Sequence, residues 1–424
     1  MTQTAVDEQT RNAPWNFSVN LSDIIFITLG LSLISRDTVL PVLISQLTDS
    51  KFAIGLLPAI ASLGFYLPQL FAASFTEGLR YKKPFVITVG GLGERLPYPL
   101  IGLAVWLLAL KSPNAALVIL LVGVGMAAMS AGIATPAWYD MIAKVIPVQR
   151  RGLWSGLGHG IGALLGVAGA WFVGRILVSY SFPNNFALLF LWATIFIAIS
   201  WASIALTKEP PSATTKARVS LIFYLRQLPA VLARDRNYRR YLISRTVVNL
   251  GTMAGGFFMV YGVQRFAIDG AGVGLLTGVL IGSVALMNLV WGLLGDRGGH
   301  KRVLALGALL ACAAPLSAFL APSPFWLGLT FVLMGSYQAA DQASALNLIL
   351  EFCAPEDRPT YIGLTNTLLA PVLIVAPLIG GGLATIFGYQ VLFVVAALVA
   401  GSGALLLAVW VREPRQMIDE AGAK

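Results

Sequence analysis

Apolar residues run along this chain in long blocks, and each block ends at a short polar break. Twelve blocks can be drawn, near 22–47, 52–76, 84–110, 114–143, 153–179, 186–207, 239–264, 272–295, 302–321, 325–350, 361–386 and 388–411. A helix that crosses the hydrocarbon core of a bilayer needs roughly 20 apolar residues at about 1.5 Å each, so every block is long enough or nearly so. The one long break, 208–238, opens on Glu209-Pro210-Pro211. It ends on Leu221 to Leu232, whose apolar spacing suits a short interfacial helix. The pattern predicts an all-α membrane protein of twelve transmembrane helices. Residues 1–207 form a first six-helix bundle, 208–238 a linker, and 239–424 a second bundle.

Composition agrees: 57% of the 424 residues are hydrophobic and only 11% are charged. A soluble core of this length needs far more surface charge. The net charge of +10 raises the question of a nucleic-acid partner, and the placement of the charges answers it. With the N-terminus inside, the inner segments hold 22 of the 29 Lys and Arg, counting Arg239 and Arg240 at the headgroups. The outer loops hold Lys51, Lys111 and Arg265. This is the positive-inside asymmetry. It predicts both termini in the cytoplasm, a plasma (cell inner) membrane location, and no nucleic-acid partner. The first 20 residues lack the apolar core of a cleaved signal peptide. Cys312 and Cys353 sit in or near different spans, and His159 and His300 are far apart, so no disulfide framework, metal site or cofactor is expected.

The two halves repeat. Gly55-Leu56-Leu57 aligns with Gly274-Leu275-Leu276, and the same offset sets Glu77 opposite Asp296. Pro147-Val148-Gln149-Arg150 aligns with Pro355-Glu356-Asp357-Arg358. Between the eighth and ninth blocks lies the most specific stretch, Gly292 to Arg302, of pattern Gly-x-x-x-Asp-Arg-x-Gly-x-Lys-Arg. Gly298 and Gly299 permit positive φ, and Arg297, Lys301 and Arg302 hold the turn beside anionic headgroups. The stretch resembles the signature loop of the major facilitator superfamily, found between helices 2 and 3 and again between helices 8 and 9. The turn from Thr76 to Lys83 is then its degraded copy, which keeps an acid and three bases and loses the Asp-Arg pair. The resemblance implies two pseudo-symmetric bundles with a cavity near the midplane, opened alternately to either side. It also implies a gating role for Glu77, Gly292, Asp296, Arg297, Gly299, Lys301 and Arg302. Two departures stand out. The fourth span has no arginine in Val122 to Ser130, and the fifth has the glycines of the antiporter pattern without its proline.

Ionisable groups at bilayer depth cost about 2.5–3.5 kcal/mol on insertion scales, so those present need a partner or a wet cavity. The first half has two adjacent pairs, Arg36-Asp37 and Glu94-Arg95. Counted at about 1.5 Å per residue, Arg36 and Glu94 lie roughly 21 and 15 Å from the inner helix ends. Either Arg36–Glu94 or Asp37–Arg95 is a possible pair, as a structural lock or as part of a pathway. The second half has Arg245, Asn249, Thr252 and Gly256 on one helical face. Gln338 and Asp341 share a face of the tenth span at a depth like that of Arg245. The resemblance implies that helices 1, 7 and 10 line the cavity, which makes Arg36, Asp37, Arg245, Asn249, Gln338 and Asp341 the candidate substrate and proton pathway, with Glu94 and Arg95 beside them.

No Gly-x-x-x-x-Gly-Lys-Ser/Thr loop is present, so ATP hydrolysis by this chain is not expected. The expected function is secondary transport of a small solute, proton-coupled, with export favoured over uptake, by a monomer that is not an enzyme. The alternatives are movement of a lipid-like amphiphile between leaflets and a transporter-like receptor that carries no flux.

Overall fold

The computed structural model describes residues 3–76, 78–212, 232–353 and 358–414. Its elements are helices, and no strand occurs among the described residues. They are α1 (Gln3–Leu33), α2 (Val39–Leu47), α3 (Lys51–Thr76), α4 (Lys83–Phe85) with a π-helical stretch Val86–Gly93, α5 (Pro97–Leu108), α6 (Pro113–Val145), α7 (Val148–Ser179) and α8 (Asn184–Ala205). After the linker come α9 (Arg236–Gly251), a 3-10 stretch Thr252–Phe257, α10 (Phe258–Phe266), α11 (Gly270–Gly298), α12 (His300–Phe319), α13 (Leu327–Glu351) and α14 (Arg358–Val409). Nine helices among the described residues are long and apolar enough to cross a membrane. That is fewer than the twelve blocks of the sequence. The third block is split by its π stretch, α13 over the tenth block is not among the nine, and α14 carries two blocks joined at Gly388, whose φ of 82° breaks the helical path.

Two compact units emerge. One comprises Met1–Thr48, Ile60–Leu221 and Asp269–Gly278, the other Asp49–Ala59, Ile222–Ile268 and Val279–Lys424. In the first, α1 packs on α7 and α8, and α5 packs on α6 and α8. Ile24, Met141, Val145 and Trp154 lie in its core near one end. In the second, α9 packs on α14, and α12 packs on α13 and α14, around Tyr238, Tyr241, Leu304, Leu348 and Leu407.

The first block is not the helix that the sequence predicts. Its helix starts at Gln3 rather than near residue 22, and residues before 22 have partners just past the end of α8. Trp15 donates to the carbonyl of Leu206 at 2.9 Å, and Asn20 donates to the Thr207 hydroxyl at 3.1 Å. The helix also breaks after Leu33, so Arg36 and Asp37 lie on an irregular link rather than inside a helix. The proposed interfacial helix from Leu221 to Leu232 falls almost wholly outside the described residues.

Candidate functional site

Arg245 on α9 and Asp341 on α13 form an ion pair between the guanidinium Nη2 and a carboxylate oxygen. The arginine side chain is 4% exposed and the aspartate 37%, so the pair opens on the aspartate's side. Asn249, one turn further along α9, is buried and accepts a hydrogen bond from the Tyr337 hydroxyl at 3.3 Å. Gln338 lies half-buried beside Tyr337 on α13. The phenol of Tyr241, fully buried, stands near both charges. Sequence reasoning missed Tyr241 and Tyr337, which look like ordinary core aromatics until the partner helix is placed. It also assumed a continuous helical stripe to Thr252 and Gly256. The helix tightens to 3-10 geometry at Thr252, directly after the carbonyl of Asn249 accepts from the Thr252 hydroxyl at 2.8 Å. With about three residues per turn instead of 3.6, the face rotates and the stripe loses its register there.

Arg95 has partners that neither sequence alternative named. Arg95 reaches Asp23 at 3.4 Å and its neighbour Glu94 at 3.5 Å. It also donates to the Ser200 hydroxyl at 3.1 Å and to the Gly90 carbonyl at 2.9 Å. Asp23 accepts from Ser200 at 2.6 Å. Arg36 is exposed, and Glu94 lies within its electrostatic reach. The π stretch explains the geometry. It ends immediately before Glu94, and its glycines admit neighbours where a side chain has no room. A Cβ on Gly91 overlaps the indole of Trp201, and one on Gly93 lies 2.5 Å from the Ser130 hydroxyl. Asp23 was passed over as a site residue because it stands at the very start of the first block, where a charge can be taken to reach the headgroups.

The Gly292–Arg302 stretch is tighter than a loop. α11 continues through Asp296 and Arg297, both exposed, to Gly298, and α12 begins at His300. Gly299 alone makes the turn, with φ of 91°. A Cβ there lies 2.6 Å from the Glu413 carboxylate, a side-chain end that can shift, so it is the backbone conformation that requires glycine. Gly292, by contrast, has open space beside it. Lys301 donates to the carbonyl of Ala408 at 2.7 Å, and Arg302 is exposed. Glu77, the matching acid of the first half, lies outside the described residues.

A repeat that the sequence reading did not use holds these turns. Asn16 exchanges two hydrogen bonds with the backbone of Lys208, at 3.0 and 2.8 Å. Asn237 does the same with Arg412, at 3.0 and 2.9 Å. Each clamp presents the next residue, Glu209 or Glu413, to the turn of its own half. Glu209 accepts from the backbone N–H of Lys82 at 2.9 Å and of Lys83 at 2.7 Å. It also accepts from the Lys144 ammonium at 2.8 Å. The signal was available: Lys208-Glu209-Pro210 and Arg412-Glu413-Pro414 end the two halves alike. Among the described residues no three His, Cys, Asp or Glu side chains are grouped to hold a metal.

Residues 242–423 match the family model of the Major Facilitator Superfamily. Over those residues the chain is similar to the major facilitator superfamily. Over 170 residues it is 24% identical to the multi-drug resistance efflux pump PmrA of Streptococcus pneumoniae. That match takes in 39% of this chain and 42% of the pump, so it spans less than half of the curated relative. Among solved structures, the nucleoside transporter NupG superposes with a TM-score of 0.72 at 13% identity. The superposition covers 94% of this chain and 100% of NupG. A bacterial homolog of the human lysosomal transporter Spinster gives 0.64 at 14% identity, covering 95% of each chain. At such identities the structures share the fold. The ion pair of α9 and α13 and the glycine turn both fall inside the residues that the family model matches.

Proposed function

We propose that this chain is a secondary transporter that moves a small solute across the plasma (cell inner) membrane by alternating access. The Arg245–Asp341 pair is its coupling element. The observation that carries the reading is this pair, closed on the arginine side and open on the aspartate side. In the resting pair each charge offsets the other's desolvation. A proton taken up on the Asp341 carboxylate neutralises it and frees the guanidinium. Taken up from outside, this proton displaces solute held at the carboxylate and releases it outward, and loss of the proton inside restores the pair, so that proton entry drives solute exit. Asn249, Gln338 and Tyr337 supply donors and acceptors for orientation without charge. Arg36 and Asp37 belong to the solute pathway, and Glu94 with Arg95 to the lock that holds the first unit. The Gly292–Arg302 turn sets which side is open. Both termini face the cytoplasm, and the direction is export, in keeping with the efflux pump that the chain resembles in part. The chain works as a monomer.

The test uses the purified chain in proteoliposomes with an imposed pH gradient and a solute chosen by thermal stabilisation, since a bound solute raises apparent stability. Asp341→Asn abolishes gradient-driven transport and leaves counterflow. It also destabilises, toward the low end of the about 3–5 kcal/mol seen when a buried pair loses one partner, because Asp341 is partly wet. Arg245→Gln with Asp341→Asn recovers stability but not coupling. Normal gradient-driven transport by Asp341→Asn sinks the assignment and moves the coupling role to Asp37 or Glu94.

A further inference from the structure

The first unit carries an apolar slot on its outer surface, between α5 and the start of α8, with a volume of ≈ 540 Å³. That is within the range of about 300–1,000 Å³ typical of sites for small ligands. Its floor is Gly102 and Ala187, and its walls are Leu103, Trp106 and Leu191, all three of them exposed. The floor is low for a steric reason. A Cβ on Gly102 lies 2.6 Å from the Cβ of Phe190, so α5 and α8 touch there and no side chain fills the gap above. From Asn184 to Thr194 the slot runs ten residues along α8, about 15 Å, which is half of a hydrocarbon core of about 30 Å.

Polarity is confined to one end. Tyr180 and Asn184 stand at the mouth, beside the turn that begins α8. The single hydroxyl at the deep end, on Thr194, already donates to the carbonyl of Phe190 at 2.7 Å. No charged side chain lines the slot. A polar solute thus finds no unmet partner at depth, and an apolar cavity of this kind does not hold water. What lies against this face of a membrane chain is hydrocarbon. An unfilled slot forfeits dispersion contacts along its whole length.

We propose that the slot binds one acyl chain of a phospholipid from the leaflet on that side, with the neutral ester region at Tyr180 and Asn184. The site is separate from the Arg245–Asp341 pair and does not depend on transport. The experiment takes the full chain in maltoside micelles free of other lipid and titrates in a phosphatidylcholine that carries a photoactivatable diazirine on its acyl chain. Cross-linked peptides are then mapped. Labelling of 97–108 and 184–194 is expected to saturate at low probe fraction, and unlabelled phosphatidylcholine and phosphatidylglycerol are expected to displace it equally. Ala187→Trp, which fills the floor, is expected to remove that labelling and leave other lipid-facing peptides labelled as before. Labelling that rises in proportion to the probe at every fraction means bulk contact only and overturns the proposal, as does full labelling in Ala187→Trp. A strong preference for phosphatidylglycerol overturns the neutral mouth. The saturation measurement needs only the unaltered chain, so it decides the matter even if Ala187→Trp does not insert.

Discussion

Glu209→Gln tests how the first half holds the turn from Thr76 to Lys83. The Glu209 side chain is 1% exposed, and both of its oxygens are in use. One accepts from Lys83 N, and the other from Lys82 N and Lys144 Nζ. Glutamine keeps the shape and one acceptor, but its NH₂ group then faces a donor. At the 2.8 Å separation of Lys144 and Glu209, the Coulomb attraction is about 6 kcal/mol at an effective dielectric of about 20. Desolvation of each ion takes back several kcal/mol of that. Lys144 is left with Asp140 at 3.9 Å, a carboxylate that is 49% exposed and therefore a weak replacement. Breaking a buried pair on one side costs about 3–5 kcal/mol. With about 2–4 °C per kcal/mol for a unit of this size, the apparent Tm of the first unit should fall by about 6–20 °C. Tryptophan fluorescence is a suitable readout, because Trp15, Trp106, Trp138, Trp154, Trp171, Trp192 and Trp201 lie in the first unit and only Trp291, Trp326 and Trp410 in the second. The cycle is closed with Lys144→Met alone and combined with Glu209→Gln. A Tm for Glu209→Gln equal to that of the unaltered chain, or strict additivity in the cycle, refutes the reasoning and leaves the carboxylate a bystander.

Three further outcomes follow from the same geometry. Asn16→Ala and Asn237→Ala each strip two hydrogen bonds from a backbone clamp and should each cost about 1–3 kcal/mol in thermal unfolding, with little coupling when combined. Gly299→Ala should cost about 1–3 kcal/mol from its left-handed backbone alone, before the Glu413 carboxylate is displaced, whereas Gly292→Ala should melt like the unaltered chain. If Gly292→Ala nonetheless changes transport, its glycine serves a second conformation and not this one. Gly91→Ala forces the Trp201 indole off its hydrogen bond to the Ile87 carbonyl, at 3.1 Å in this structure. It should cost about 1–3 kcal/mol, and an unchanged Trp201 emission spectrum would contradict that.

What the sequence determined by itself was the solvent, the class of fold and the signature turn. Blocks of apolar residues and basic residues in the breaks are local properties, and lipid leaves helices as the ready solution for such blocks. Arg245 and Asp341 could be matched from sequence as well, because depth along a helix is a count of residues. Their meeting in an ion pair uses nothing more than that count and the order of helices that the resemblance implied. Other pairings lay beyond such counting. Arg95 goes to Asp23 and Ser200, partners that a count of residues per ideal turn did not offer, and the third block does not keep that ideal turn, since its helix is π-helical up to Glu94. The start of α1 at Gln3, and the clamps of Asn16 on Lys208 and Asn237 on Arg412, join residues 192 and 175 positions apart. Such contacts leave no periodic trace, since a polar residue that will be satisfied by a distant backbone looks the same in sequence as one that will face water. Only packing decides which of them is buried.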